Sequence, residues 1–284
     1  MTIKSIFTIR ALFVLSILLL IAFTTAFYVP FTSSNLQTHP VAARTQTQLQ
    51  AAAKIMNVSS EFYVLDTMFA SIRFTETDAP FIPAISGSIS LFYPLLLADF
   101  GLTLEEAGRL DIVVFPDQPS LEAAMGRRYT YVPMGVFFAG IINIISPTVW
   151  ITGTDEEITE RFMREGPVIH EMVHFVLDVK TNGNYPLWFT EGVALFYEYK
   201  YAAFEWRPDL RYTASHLCAT DVSANFRDFC ETLSYRKVFD IIMYYIKAHG
   251  ENGLQEIIAE LGRGVPHAEV LVVVLENYIA RHDF

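Results

Sequence analysis

The 284-residue chain contains few cysteines and few positive charges. Its two cysteines are too few for a disulfide-stapled scaffold or for a zinc site built from thiolates. Lys and Arg number 20 against 31 Asp and Glu, a formal net charge of −11, and no basic run exceeds two residues. Because this deficit of positive charge would repel a phosphate backbone, no nucleic-acid partner is expected.

Charged residues of either sign are also scarce, at 18% of the chain, whereas hydrophobic residues make up 52% and aromatic residues 14%. A chain this apolar can bury a large core, which excludes disorder over most of its length. Its length suits one large domain or two small ones. The composition therefore describes an acidic globular protein.

An uncharged stretch, residues 11–29, follows Lys4 and Arg10 near the N-terminus. It lies on the border between the ~7–15 apolar residues of a signal peptide and the ~17–25 of a spanning helix, and Thr24 and Ala26 could precede a cleavage point. We interpret residues 1–30 as a signal peptide or an uncleaved membrane anchor, and residues 31–55, polar and without periodicity, as a linker. In both cases the remainder of the chain is expected to be extracytoplasmic: membrane-anchored if the segment is retained, or secreted if it is cleaved.

Residues 56–284 are expected to form one continuous domain. Its first half contains strand-like runs at Ala70–Thr75, Asp111–Phe115, Val136–Ile145 and Thr148–Thr152. Its second half has helical patterns at Tyr235–Ala248, Leu254–Leu261 and Pro266 to about Ala280. An earlier helix across Ile85–Leu96 would be kinked by Pro94. A small mixed sheet followed by a helical C-terminal half predicts the α+β class.

The chemistry-bearing motif is His170-Glu171-Met172-Val173-His174, an H-E-x-x-H sequence. On a helix, residues four apart share one face, so both imidazoles can bind one cation while the intervening glutamate reaches a water on that cation. Pro167 suits the first turn of such a helix, and Asn182-Gly183 suits its end. The alternative is a pair of core histidines satisfied by hydrogen bonds.

A third ligand is available seventeen residues after His174, at Glu191. Catalytic zinc takes three protein ligands and a water. A helix, a turn at residues 182–186 and a returning helix would bring Glu191 back to the imidazoles. Glu191 lies in an apolar aromatic stretch without a neighbouring base, and a buried carboxylate needs a partner that a cation can supply.

These residues resemble the gluzincin metallopeptidases, the peptidase MA-like domains related to thermolysin and the metallo-aminopeptidases. The match comprises His170-Glu171-x-x-His174 and Trp188-Phe189-x-Glu191-Gly192-x-Ala194, whose Glu-x-x-Ala is the second motif of that clan. The resemblance implies a zincin-like fold and Zn²⁺ bound by His170, His174 and Glu191. It also implies that Glu171 is the general base, taking a proton from the attacking water and passing it to the leaving amine.

The resemblance extends to two further features of the site. A tyrosine often begins the helix that follows the ligand helix, so Tyr235 is the candidate donor to the oxyanion, with His216 as the second choice. A strand before the active-site helix holds the substrate backbone in these domains, which implies Ala139–Ile145 as the edge strand.

The chain also departs from the family pattern. Leu195 stands where a thermolysin-like enzyme has a histidine-orienting carboxylate, so that support is unassigned; Asp178, four residues after His174, is one candidate. No Gly-x-Met-x-Asn segment is present, which favours internal cleavage over amino-terminal recognition.

The predicted function is an exported zinc metallopeptidase, more an endopeptidase than an exopeptidase, acting on a peptide or protein. The alternative is a catalytically inactive, peptidase-like binding module of the cell envelope. In an extracytoplasmic compartment Cys218 and Cys230 could form a disulfide, although two buried thiols are equally compatible with the sequence.

Overall fold

The computed structural model describes residues 46–228 and 231–282, which form an α+β arrangement with one mixed sheet. The predicted signal peptide or anchor lies outside the described residues, as do most of the linker and Cys230. The five strands are β1 (Tyr63–Asp66), β2 (Ala70–Phe74), β3 (Leu110–Phe115), β4 (Gly135–Phe138) and β5 (Ile141–Ile145). The helices of the first half are α1 (Gln46–Val58), α2 (Ile82–Asp99), α3 (Leu104–Ala107), α4 (Gln118–Met125) and α5 (Asp155–Glu165). Those of the second half are α6 (Val168–Thr181), α7 (Leu187–Ala202), α8 (Arg211–Ser215), α9 (Ala219–Ala224), α10 (Glu231–Gly262), α11 (His267–Val270) and α12 (Val272–His282).

Helix α1 corrects the predicted linker, because its first ten residues fall within the range assigned to a structureless spacer. Ile55 on this helix is fully buried and belongs to the apolar cluster that includes Leu121 of α4. One buried side chain in thirteen residues gives little hydrophobic periodicity, so the sequence pattern does not reveal the helix. The folded part therefore begins before residue 56.

The sheet has the strand order β1-β2-β3-β5-β4. The three inner strands β2, β3 and β5 run parallel, and β1 and β4 at the two edges run antiparallel to their neighbours. Successive side chains of β3 alternate between two clusters: Ile112 faces the larger core, and Val113 faces the smaller one beneath α1 and α4. Strands β3 and β5 are consequently covered on both faces, as expected of parallel strands, whereas alternate residues of β2 are only half-buried.

At the end of the sheet opposite β1, the edge strand is β4. This corrects the expectation that Ala139–Ile145 lies at the edge. The predicted single strand Val136–Ile145 is a hairpin, and its second strand, β5, lies between β3 and β4 with all five residues buried. Ala139 and Gly140 both have positive φ, 53° and 77°, as the two-residue turn of a hairpin requires. Alanine rarely adopts this conformation, so the turn has no clear sequence signal.

The strand predicted at Thr148–Thr152 is also wrong. A 3₁₀ turn covers Pro147–Val149 instead, and the side chain of Ser146 accepts a hydrogen bond from the Thr148 backbone N–H. Proline at a first helical position and a serine cap favour a turn. These local signals outweigh the strand preference of Val149 and Ile151.

The helical predictions agree better with the structure. Helix α2 contains Pro94, and α10 is interrupted at Gly250, where φ is 74° and ψ is 173°. The helix predicted from Pro266 is divided into α11 and α12 at Leu271. Among the described residues, the helical stretch Glu76–Asp99 is long and apolar enough to cross a membrane by length and composition, but 56% of its most apolar window is buried inside the domain.

Helices α6 and α7 form an antiparallel hairpin that places the candidate site. Asn182 ends α6 in the left-handed conformation, with its N–H donating to the Asp178 carbonyl, as the Asn-Gly pair predicts. The turn is fixed to the end of α10, because the Asn184 side-chain amide donates to the carbonyls of Leu261 and Val265. Helix α6 also packs against α2 and against strands β4 and β5, which places the motif beside the edge of the sheet.

Candidate metal centre

The hairpin brings the two motif histidines and the predicted third ligand together. Nε2 of His170 lies 3.0 Å from Oε2 of Glu191, and Nε2 of His174 lies 3.5 Å from the same oxygen. One ligand atom from each of the three residues lies within 4.8 Å of the others, so the group could hold one metal ion. These are the positions predicted from the sequence.

The three ligand atoms suit a small tetrahedral cation. Bonds of ~2.0–2.1 Å from zinc to nitrogen and oxygen ligands place neighbouring ligand atoms about 3.4 Å apart in a tetrahedron. The two measured nitrogen–oxygen separations, 3.0 and 3.5 Å, bracket that value. Two imidazoles and one carboxylate are a donor set that zinc accepts, whereas calcium and magnesium prefer oxygen ligands throughout. The residues present therefore fit zinc.

Each imidazole has an oxygen acceptor at its other nitrogen. Nδ1 of His170 lies 3.3 Å from Oε2 of Glu198, and Nδ1 of His174 lies 2.6 Å from Oγ1 of Thr190. When Nε2 of each ring binds a metal, a proton on Nδ1 can be donated to these oxygens. Glu198 and Thr190 are therefore placed to orient both rings for metal binding.

Sequence reasoning missed both orienting residues. Glu198 lies seven residues after Glu191, two helical turns further along the same face of α7, a spacing that could have identified it. Thr190 has no such signal, because adjacent residues on a helix point in different directions. Asp178, the candidate proposed for this role, instead accepts a hydrogen bond from the Tyr185 hydroxyl at 3.1 Å.

Glu171 lies beside the cluster and is almost fully buried, with 4% of its surface exposed. Its Oε2 has no hydrogen-bond partner among the described residues. Burial raises the pKa of Glu171, an effect that the nearby His174 and His170 and the backbone N–H of Phe137 oppose. Glu171 thus has a buried carboxylate oxygen available for a proton near the ligand atoms.

The charges of the cluster are strongly coupled. Burial would raise the pKa of Glu191, but the imidazoles of His174 and His170 hold it well below its ordinary range. Burial would likewise lower the pKa of His170, but the Glu198 and Glu191 carboxylates raise it well above its ordinary value. Three carboxylates buried around two imidazoles create a demand for positive charge that a divalent cation can meet.

The two residues predicted to stabilise an oxyanion both contact aromatic side chains of the second half. Tyr235 is half-buried on α10, and its ring packs against Phe226 and Trp206 at centroid distances of 5.4 and 6.1 Å. His216 is exposed at the end of α8 and contacts the Tyr212 ring. A catalytic role for Tyr235 stays a prediction, as does the Cys218–Cys230 disulfide, because Cys230 lies outside the described residues.

Comparison with known proteins adds no relative. No protein-family model matches the chain, and no curated protein is significantly similar to it. The resemblance to the gluzincins consequently rests on the motif residues alone.

Proposed function

We propose that the protein is an exported zinc-dependent metallopeptidase of the zincin-like fold. The observation that carries this proposal is the convergence of His170, His174 and Glu191 with Glu171 buried beside them. Each of the four has the chemical role that the H-E-x-x-H motif and its downstream glutamate imply. The N-terminal segment, residues 1–30, supports an extracytoplasmic location.

His170, His174 and Glu191 would hold the zinc, which would supply a Lewis acid able to lower the pKa of a water to ~7 and to polarise the substrate carbonyl. Glu171 is the general base, taking a proton from the attacking water and transferring it to the departing amine nitrogen. Glu198 and Thr190 keep the imidazoles of His170 and His174 oriented. Tyr235 remains the candidate donor to the oxyanion.

The edge strand supports a peptide substrate that is cleaved internally. Strand β4 pairs with β5 on one side and ends the sheet on the other, where an extended peptide can add as a further strand. Its sequence, Gly-Val-Phe-Phe, has no acidic side chain to bind a substrate amino terminus. Backbone pairing of this kind selects extended chain segments rather than folded proteins.

The proposal is tested with the full chain, purified in mild detergent so that an anchor is tolerated. Zinc content is measured for the wild type, Glu171→Gln, His174→Ala and the control His267→Ala, whose exposed histidine lies on α11. We expect about one zinc per chain in all except His174→Ala, and cleavage of a quenched fluorescent peptide pool by the wild type and His267→Ala alone. Zinc binding without cleavage of any peptide would favour the inactive binding module, and absence of zinc would contradict both functions.

A further inference from the structure

Gly135, the first residue of β4, lies directly against the general base. A β-carbon built at this position would lie 2.7 Å from both Cγ and Oε1 of Glu171 and 2.9 Å from Cβ of Pro167. Gly135 is not among the glycines with positive φ, so other residues could adopt its backbone conformation. The position therefore requires glycine for space, and the group that uses this space is the Glu171 side chain.

The hydrogen-bond pattern of the hairpin fixes which way the β4 backbone points. The Ile145 N–H donates to the Met134 carbonyl at 3.1 Å. In an antiparallel hairpin, residue pairs that exchange hydrogen bonds alternate with pairs that do not, and the Met134–Ile145 pair is of the first kind. Phe138 and Ile141 form such a pair, whereas Phe137 faces Ile142 in a pair that does not. The N–H groups of Gly135 and Phe137 consequently point away from β5, toward the open edge.

One face of β4 contacts one face of α6 at two successive positions. The Phe137 N–H, directed to the open edge, acts to lower the pKa of the Glu171 carboxyl. The Phe137 ring packs edge-on against Phe175 at a centroid distance of 6.0 Å. Glu171 and Phe175 are four residues apart on one helical face, and Gly135 and Phe137 are two apart on one strand face. These contacts restrict both the backbone and the side-chain position of the base.

We propose that β4 is a positioning element for the general base, with Gly135 providing the space for the Glu171 side chain and the Phe137 N–H holding its carboxylate. This inference rests on the proposed peptidase function. In the proposed function a substrate peptide pairs with the other open-edge backbone groups of β4, so one short strand sets the separation between the base and the scissile bond. Gly135 and Phe137 are positioning residues, because they act through Glu171.

The first test is the kinetics of Gly135→Ala with one quenched peptide that the wild type cleaves. We expect kcat to fall about 10- to 100-fold, because displacement of a reacting group by ~1 Å costs up to this much, with KM within about twofold. Zinc content and the absorption spectrum of the cobalt-substituted protein should be unchanged. The control is Gly87→Ala on α2, where a β-carbon meets nothing within 4 Å. Wild-type kcat in Gly135→Ala would overturn the inference and leave the peptidase function intact.

A double-mutant cycle separates displacement of the base from a general disturbance of the strand. Glu171→Asp shortens the side chain and withdraws it from the space beside Gly135. If Gly135→Ala acts through Glu171, its effect on kcat should shrink at least fivefold when it is introduced into Glu171→Asp, because contacting residues are not additive. Equal effects in both backgrounds would show that Gly135 acts elsewhere, contrary to the inference.

Amide hydrogen exchange tests the Phe137 contact without any reliance on activity. The Phe137 N–H points away from β5, so its protection should depend on Glu171, and we expect Glu171→Ala to accelerate its exchange at least tenfold. The Phe138 N–H, bonded within the hairpin, should retain its protection in the same sample. Unchanged exchange of Phe137 would overturn the inference. Accelerated exchange in a protein that cleaves no peptide would show instead that the contact exists and the proposed function is wrong.

Discussion

Glu198 lies two helical turns beyond Glu191 on α7, and its Oε2 atom is 3.3 Å from Nδ1 of His170. The same helix thus supplies one predicted metal ligand and the group that orients another. Both carboxylates are buried, so the interaction is little weakened by solvent. The spacing differs from the thermolysin-like pattern, in which the orienting carboxylate comes four residues after the ligand.

Replacing Glu198 with Ala should weaken zinc binding about 10- to 100-fold, the usual cost of removing a group that orients a metal-bound histidine. Glu198→Gln retains a hydrogen-bond acceptor and should lose less affinity. Chelator competition measures both dissociation constants. Glu156→Ala, an exposed carboxylate on α5, is the control and should leave the affinity unchanged. Wild-type affinity in Glu198→Ala would show that His170 does not depend on this contact.

The sequence was sufficient to predict that His170, His174 and Glu191 lie close together, because these residues lie on two regular helices. Helical periodicity determines which residues share a face, and His170, His174, Glu191 and Glu198 all follow it. Thr190 could not be predicted in this way, since its contact with His174 depends on the packing angle between α6 and α7. Distances across a helix pair are set by tertiary packing, which a local pattern does not contain.

The edge of the sheet shows the opposite case. Residues 136–145 are almost continuously apolar, and a buried strand and a hairpin give similar patterns in such a run. The turn at Ala139-Gly140 is what makes this run a hairpin rather than one strand, and there alanine adopts a positive φ for which it has no preference. The contact between Gly135 and Glu171 could not be predicted either, because the two residues are 36 apart and meet only in the folded sheet.

Zinc should raise the thermal stability of the wild type and not that of His174→Ala. A ligand that binds only the folded state stabilises it by RT ln(1 + [L]/Kd), about 4 kcal/mol at a thousandfold excess over Kd. Differential scanning calorimetry of chelator-treated protein, before and after addition of zinc, measures the shift. Magnesium is the control cation, and an equal shift with magnesium would indicate an oxygen-ligand site elsewhere.

Gly192→Ala should destabilise the fold at the crossing of α7 and α10. A β-carbon at Gly192 would lie 2.7 Å from Cγ1 of Ile242 and 2.8 Å from the backbone oxygen of Val238. Overpacking of this kind costs about 1–3 kcal/mol, and a backbone atom cannot rotate away. Urea denaturation should show a lower midpoint, whereas Gly87→Ala should gain up to about 1 kcal/mol from helix propensity. An unchanged midpoint would mean that α7 and α10 can move apart far enough to accommodate the added methyl group without loss of stability.

Arg236 forms the centre of a buried ion-pair network on α10. Its side chain is 1% exposed and donates to Glu205 and to the Trp206 carbonyl, both at 2.8 Å, and to both carboxylate oxygens of Asp240. Arg236→Met should destabilise the protein by up to about 3 kcal/mol, because it leaves the largely buried Asp240 without its partner and Glu205 paired only with Arg211. Arg263→Met, which removes a mostly exposed pair with Glu260, should cost less than about 1 kcal/mol.

The same network predicts a pH dependence. Burial opposes ionisation of Glu205, but hydrogen bonds from Arg236 and Arg211 lower its pKa below the ordinary value of a glutamate. A carboxyl with a lowered pKa in the folded state contributes stability that is complete above about pH 4.5 and is lost as the pH falls through the folded-state value. Urea midpoints at pH 7 and pH 4 should therefore differ less in Arg236→Met than in the wild type. Equal differences in the two proteins would show that Arg236 does not set the titration of Glu205.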